Sequence, residues 1–331
     1  MRSNSSGKSK TLDTSAKTIR GKVQNGVTHI PSNMGTGYIK GFFLNPKLRL
    51  IVRQYELKED WVLDRGIDKE EEKFVVIAFH NIYQSKDDIK TRLFPPSASG
   101  KLLPSVQVTT TDLNYEFLPA NKKINSIVIT VHADYLKELL QPQKGNTLLQ
   151  TITSGSLPFL FEELISPQIQ ELAAEIVRTN PAKELQHLYY RIKAEELIYL
   201  LFLELLKRQN ITLQTLNVSD IKMVYAIKEK ILSNIDTPPV IAELVKISGM
   251  SESKLKRVFK QIFGNSIFNY YQSFRMKEAA YLIKEGNLSV SEVGYGLGFS
   301  NLSHFTRLFE THIGMKPKKY SSYSHLHHVQ Y

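Results

Sequence analysis

The chain has 331 residues, 42% of them hydrophobic, no cysteine and a formal net charge of +11. That length suits two domains of ~100–200 residues, and the lack of cysteine excludes disulfides and thiolate metal sites. No apolar run approaches the ~20 residues that span a bilayer, and the polar N-terminus has no apolar signal core, so the expectation is a cytoplasmic protein with no membrane partner. Residues 1–28 carry six Lys/Arg against one Asp, and residues 219–331 carry fifteen against nine, which leaves the body between them neutral. A neutral body with a basic C-terminal part fits a sensor joined to a nucleic-acid binder.

In chain order, residues 1–28 are rich in Ser, Thr, Lys and Gly and read as a disordered basic tail. Residues 29–150 read as a β-rich, sensor-like domain. The segments 48–55, 74–83, 105–109, 114–118 and 126–131 are short, β-branched and aromatic, and are separated by Pro, Gly, Asn and Asp. They predict a small barrel or jelly-roll-like fold, and barrel mouths often hold a small ligand. His80 and His132 fall at strand positions. No histidine pair at metal-ligand spacing with a nearby carboxylate accompanies them, so they read as structural and no cofactor is assigned.

Residues 151–210 read as a helical segment for packing or dimerisation. Leu157 to Arg178 is expected to be helix, interrupted near Pro158 and Pro167. A longer helix is expected from Pro181, at a first-turn position, to about Gln209. Leu185, Leu188, Ile192, Tyr199, Phe202 and Leu206 keep helical spacing, with Glu195 and Glu196 as an interruption. The second half of this helix is apolar nearly all round and needs cover on several sides, which a second copy of the chain or the chain's own sheet would supply equally well. Residues 211–218 read as a linker. The fold class expected is therefore α+β: the β-rich N-terminal domain with helices, then an all-α domain over 219–323.

That last domain reads as two copies of one unit, at 241–262 and 290–313. Leu244 and Gly249 recur 49 residues later as Val293 and Gly298, and Leu255, Arg257, Phe259 and Gly264 recur 50 residues later as Phe305, Arg307, Phe309 and Gly314. Each unit is a short apolar segment, a glycine turn, a serine and a second amphipathic segment, the pattern of helix-turn-helix. With Leu255, Phe259 and Ile262 inward, Ser253, Arg257 and Lys260 point out and Lys256 lies on the flank. With Phe305, Phe309 and His312 inward, Ser303, Arg307 and Glu310 point out and Thr306 lies on the flank. Arginine can contact guanine O6 and N7 with two hydrogen bonds. Lys254, Lys256 and Lys260 suit phosphates. Ser251 and Ser300 stand at N-cap positions, where free amides can also meet a phosphate. Between the units, Ser266 to Glu285 reads as a helix roughly 30 Å long, closed by Gly286–Asn287. That length is close to the ~34 Å turn of B-DNA. The string from Gly294 to Phe299 lacks both the preceding strand and the spacing of a dinucleotide loop.

These residues resemble the DNA-binding domain of the AraC/XylS family of bacterial transcription regulators over about 221–323. The matching pieces are L-x-R-x-F at Leu255–Phe259, Arg275-x-x-x-Ala279 with Leu282 and Ile283, Gly298-F-S with Ser303-H-F-T-R-x-Phe309, and Gly314-x-x-Pro317-x-x-Tyr320. The resemblance implies base reading by Ser253, Lys256 and Arg257 and by Ser303, His304, Thr306 and Arg307. It further implies double-stranded DNA and RNA polymerase as partners, a small-molecule effector and a homodimer as candidates, and transcription activation as the output rather than enzyme chemistry. Val245 and Gly294 depart from the family's usual Ala, and Ser321 from a terminal Arg. Gly294 and Gly296 within a short helix are expected to soften the second unit by ~1 kcal/mol each. Two alternatives accompany this reading: a regulator controlled by dimerisation or a protein partner with no small ligand, and a cupin-like metal enzyme with a DNA-binding tail. His325, His327 and His328 read as a loose terminal cluster.

Overall fold

The computed structural model describes residues 23–24, 27–64, 73–82, 104–110, 115–118, 120–143, 145–154, 159–208, 216–233, 235–285 and 288–326. Residues 1–22 of the expected tail, most of the 211–218 linker, Gly286–Asn287, His327 and His328 lie outside these. The fold is α+β, and the described chain divides into two units.

The first unit is built on an antiparallel sheet. Its strands are β1 (Val23–Gln24), β2 (Val27–His29), β3 (Gly35–Asn45), β4 (Leu48–Leu57), β6 (Phe74–His80), β7 (Ser105–Thr110) and β9 (Lys123–His132), in the spatial order β1-β2-β3-β4-β9-β6-β7. The backbone amide of Thr110 donates to Phe159 O at 3.3 Å, just before β10 (Leu160–Leu164). A separate ribbon pairs β5 (Trp61–Asp64) with β8 (Tyr115–Leu118). The core lies on the central strands. Ile51 pairs with Val128 and Ile77 with Ile129, and six successive residues of β6 are buried, so that strand is covered on both faces. This corrects two expectations. The strand order is open among the described residues, so they show no closed barrel. The expected tail also contributes β1 and β2, because Val23–Gln24 and Val27–His29 find partners along β3 and each other.

The helices of the first unit also differ in detail from expectation. Two short ones, α1 (Ala133–Leu140) and α2 (Thr147–Ser154), were not anticipated. His132 is the N-cap of α1, its Nδ1 accepting from Asp134 N at 3.3 Å, and it stands edge-on to the Phe74 ring; its role is structural. The expected helix from Leu157 becomes strand β10, and helix α3 (Pro167–Arg178) starts only at Pro167. The branched and aromatic residues Phe159 to Leu164 satisfy their backbone along a sheet edge instead. The long helix α4 (Gln186–Leu205) begins five residues after Pro181, following a turn. Its inward face packs on β3: Tyr190 stacks on Phe42 at 3.7 Å, and His187 Nε2 lies 2.6 Å from Leu44 O.

The second unit holds helices α5 (Val218–Leu232), α6 (Ile241–Ser248), α7 (Glu252–Phe263), α8 (Ile267–Glu285), α9 (Val290–Gly296), α10 (Leu302–Ile313) and α11 (Pro317–Leu326). It also takes in Glu162–Glu171 and Arg208, residues that sequence reasoning assigned to the packing segment of 151–210. Helix α5 packs on α6 and α7, and α8 packs on α7, α9, α10 and α11. Phe259, Phe263 and Tyr270 pack ring against ring under the first helix pair, while Met276, Ile283, Val293, Phe305 and Phe309 form the core under the second.

Candidate nucleic-acid interface

Both repeats fold as helix pairs with the anticipated turn chemistry. Helix α6 ends at Gly249 and α7 at Gly264; α10 ends at Gly314, all three glycines having positive φ. Ser251 caps α7, its Oγ accepting from Lys254 N at 3.3 Å. Ser300 does not cap α10, which is a correction. Asn301, one residue later, is the N-cap, and its Oδ1 accepts from Ser303 N at 2.8 Å and His304 N at 3.2 Å. The amide arm of Asn301 reaches two of the helix's free N–H groups, the role that an N-cap side chain fills. Helix α9 carries a full capping box: Ser289 Oγ accepts from Glu292 N, and the Glu292 carboxylate accepts from Ser289 N at 2.8 Å. Hydrogen bonding from the Ser289 side chain, and then from its backbone amide, holds the Glu292 carboxyl below its usual value.

Burial confirms the inward faces. Leu255, Phe259, Ile262, Phe305 and Phe309 are fully buried, and His312 is half-buried with Nδ1 3.3 Å from Ser273 Oγ. The opposite face of α7 exposes Ser253, Lys256, Arg257 and Lys260 together, and that of α10 exposes Ser303, His304 and Arg307, with Thr306 half-buried beside them. His304 also stands edge-on to Phe299. The cations differ in their freedom. Lys254 is ion-paired with Asp220 of α5 at 2.8 Å, and Lys256 with Glu252 one turn back at 2.5 Å. Arg257, Lys260 and Arg307 make no ion pair among the described residues, so their full charge faces solvent.

Gly294 does not behave as a simple weak point. It is buried, and a Cβ there would come 2.6 Å from a Leu302 methyl and 3.2 Å from the Phe305 ring. The missing side chain lets α9 close onto α10, which sets its helix-propensity cost against tighter packing. Arg275, the buried arginine of the connecting helix, donates to Leu297 O at 2.5 Å and lies 3.9 Å over the Phe299 ring, tying α8 to the second pair. No group of metal-ligating residues occurs among the described residues, and no helix of the described chain is long and apolar enough to cross a membrane.

Two helix pairs braced on a central helix, each with an exposed basic face, define a DNA-binding domain of the helix-turn-helix class, and residues 244–322 match the helix-turn-helix domain model. The chain is 29% identical to the multiple antibiotic resistance protein MarA of Escherichia coli over 102 residues, which are 31% of this chain and 80% of MarA. It is 28% identical over 92 residues to the HTH-type transcriptional regulator GlxA of Rhizobium meliloti, a match spanning only 28% of that relative's length. A probable AraC family transcriptional regulator of Rhodopseudomonas palustris, of known structure, is 27% identical over 31% of this chain and 97% of its own, with a TM-score of 0.28. Over residues 244–322 the chain thus carries a helix-turn-helix domain similar to that of these transcription regulators.

Proposed function

We propose that this regulator reads a two-box DNA site with α7 and α10 in successive major grooves, on one side of the duplex. The observation that carries this reading is the matched pair of exposed faces, each centred on an arginine without an ion-pair partner among the described residues. Base reading falls to Ser253, Lys256 and Arg257 on α7 and to Ser303, His304, Thr306 and Arg307 on α10, with Lys260 on phosphate. Helix α8, of 19 residues, is ~28 Å long at 1.5 Å per residue, close to the ~34 Å that separates successive grooves. The test is selection of bound fragments by the full chain at fixed salt. Two enriched boxes about one helical turn apart are expected. Arg257→Ala and Arg307→Ala should each cost ~1–3 kcal/mol on the selected site and relax specificity at one box only. Equal losses on selected and random DNA would move those arginines to phosphate contacts.

The first unit acts in this reading as the sensor of an effector-responsive activator, with RNA polymerase as the partner of the output. Lys40 of β3 favours an anionic effector. Its ammonium lies 5.1 Å from the Phe42 ring centroid and 5.6 Å from that of Tyr190, and burial lowers its pKa. Among the described residues no carboxylate pairs with it. Tyr190 beside it is pushed up to about 12 by burial, with Tyr189 and Tyr38 adding to the shift, so that ring brings no negative charge to the lysine near neutral pH. Titration with small carboxylates checks this: saturating ligand should raise the melting temperature of the wild type and leave Lys40→Met unmoved.

A second copy of the chain is the partner we assign to the outward face of α4. Leu185, Leu188, Ile192, Tyr199, Leu203 and Leu206 are all exposed there, Tyr199 at 61%. Their spacing is symmetric about the point between Glu195 and Glu196. An antiparallel copy therefore sets Leu185 against Leu206, Leu188 against Leu203 and Ile192 against Tyr199, the self-complementarity that a two-fold interface requires.

A further inference from the structure

The C-terminal end of α7 is held by residues that lie far outside the helix-turn-helix domain in sequence. Arg208 has a side chain only 3% exposed. Its Nη2 donates to Ile262 O at 3.1 Å and to Glu162 O at 2.5 Å, its Nη1 to Gln261 O at 3.4 Å, and its Nε to the Glu163 carboxylate at 2.5 Å. Gln261 and Ile262 lie in the last turn of α7, where carbonyls have no partner within the helix and where the helix dipole favours a cation. Gly264 makes the approach feasible: a Cβ there would lie 2.7 Å from Arg208 Nε. The guanidinium thus closes the end of α7 and joins it to the segment Glu162–Glu171.

That segment is itself pinned to two further helices. Glu162 is fully buried, and its carboxylate accepts from Lys228 Nζ and from the Tyr225 hydroxyl of α5, both at 2.5 Å. Lys277 of α8 donates to Leu164 O at 2.8 Å, and Lys284 pairs with Glu171 at 2.6 Å. Four cations of a basic unit, Arg208, Lys228, Lys277 and Lys284, are therefore turned toward this short strap. Two of these contacts, Arg208–Glu163 and Lys228–Glu162, are ion pairs between largely buried side chains, where loss of one partner leaves the other charge uncompensated.

We infer that Glu162–Glu171 and Arg208 form a clamp that fixes the angle at which α7 presents its face to DNA, with Arg208 as the positioning residue. This rests on the reading of α7 as a base-reading helix. The clamp takes in Glu162–Leu164, the last three residues of β10, and Arg208, which follows α4, so the first helix pair depends on residues that the domain match over 244–322 leaves out.

The test uses the full chain and the two-box duplex recovered by selection, with each box scrambled in turn. The variants are Arg208→Gln and the double change Glu162→Gln with Lys228→Met. The double variant neutralises both charges of a buried pair together, so that no uncompensated buried charge remains. The expected result is at least a tenfold loss on the intact site, with scrambling of the α7 box no longer costing affinity and scrambling of the α10 box costing as much as in the wild type. Unchanged affinity with both boxes still read, an equal loss of both, or a rise in affinity would each overturn the clamp. Arg257→Ala is run alongside. If it leaves α7-box discrimination intact, the reading of α7 itself fails; if it erases that discrimination while the clamp variants keep it, only the clamp fails.

Discussion

Lys254 Nζ stands 2.8 Å from Asp220 Oδ1, an ion pair that ties the first turn of α7 to the start of α5. By charge alone Lys254 matches Lys260 as a phosphate ligand, but the Asp220 carboxylate already offsets its charge. Each phosphate neutralised on duplex DNA contributes about 0.9 to the slope of log K against log salt. Lys260→Met is expected to reduce the slope on random duplex by about that amount, and Lys254→Met to leave it nearly unchanged. Asp220→Asn frees Lys254 and should steepen the slope. A slope that falls equally for both lysines would show that the Asp220 pair opens on DNA.

This pair also marks the boundary of what the residues alone disclose. The inward and outward faces of α7 and α10 follow from helical period, because Leu255, Phe259, Phe305 and Phe309 each bury the side that the 3.6-residue repeat assigns them. Glycine punctuation at Gly249, Gly264 and Gly314 was equally readable, since each sits at a left-handed position that other residues avoid. Asp220 pairing with Lys254 and Glu162 pairing with Lys228 are contacts between distant stretches, and no local pattern encodes them. The capping box of α9 is local by contrast, written in the Ser-x-x-Glu signature at Ser289–Glu292. The sheet was read strand by strand, but closure into a barrel is a property of strand order, which spacing does not fix. The error at Leu157–Leu164 has the same root, because a short apolar run suits a helix or a buried strand alike.

The cap of α10 gives a clean comparison between adjacent residues. Asn301 Oδ1 accepts two backbone N–H groups of the first turn, whereas Ser300 is exposed and caps nothing. Asn301→Ala should therefore destabilise the chain by about 1 kcal/mol, and Ser300→Ala should fall within about 0.5 kcal/mol of wild type. Urea titration followed by helical circular dichroism measures both. Because Asn301 holds the amides of Ser303 and His304, its loss should also weaken DNA binding through α10 before α7 is affected. A larger effect from Ser300 would return the cap to the serine.

His312 makes stability sensitive to mild acid. Burial lowers its pKa below the ordinary histidine value of about 6.5, and nearby Lys277 lowers it further. The imidazole is therefore neutral in the folded protein over a range where the unfolded chain already binds a proton. Stability rises with pH wherever the unfolded state holds more protons, so the contribution of His312 is complete above the unfolded value and is lost as pH falls through the window below it. The urea midpoint should drop between pH 7.5 and 5.5, and His312→Gln should flatten that part of the profile. An equal drop in the variant would assign the acid sensitivity to other groups.

The outward face of α4 makes a prediction that separates association from folding. The inward face is already satisfied within one chain, with Tyr190 on Phe42 and the buried Leu197, Leu201 and Leu205 beneath it. The six exposed apolar residues opposite need a different explanation, because a stripe of this kind on one helix is the usual mark of a protein contact. Two-fold pairing brings Glu195 and Glu196 near their symmetry mates. That repulsion is moderated from within each chain, since Arg191 lies 3.1 Å from Glu195 and Lys193 lies 3.2 Å from Glu196. Ile192→Glu sets a fifth and sixth carboxylate against Tyr199 of the other copy, beyond what those cations offset. The wild type should sediment as a dimer at micromolar concentration and Ile192→Glu as a monomer with an unchanged circular dichroism spectrum. The reciprocal change Tyr199→Lys, combined with Ile192→Glu, restores opposite charges at each crossing and should bring the dimer back in part. Recovery by the pair, when each single change dissociates it, requires the antiparallel register. Failure of the pair with a dimeric wild type would leave the dimer and remove this register.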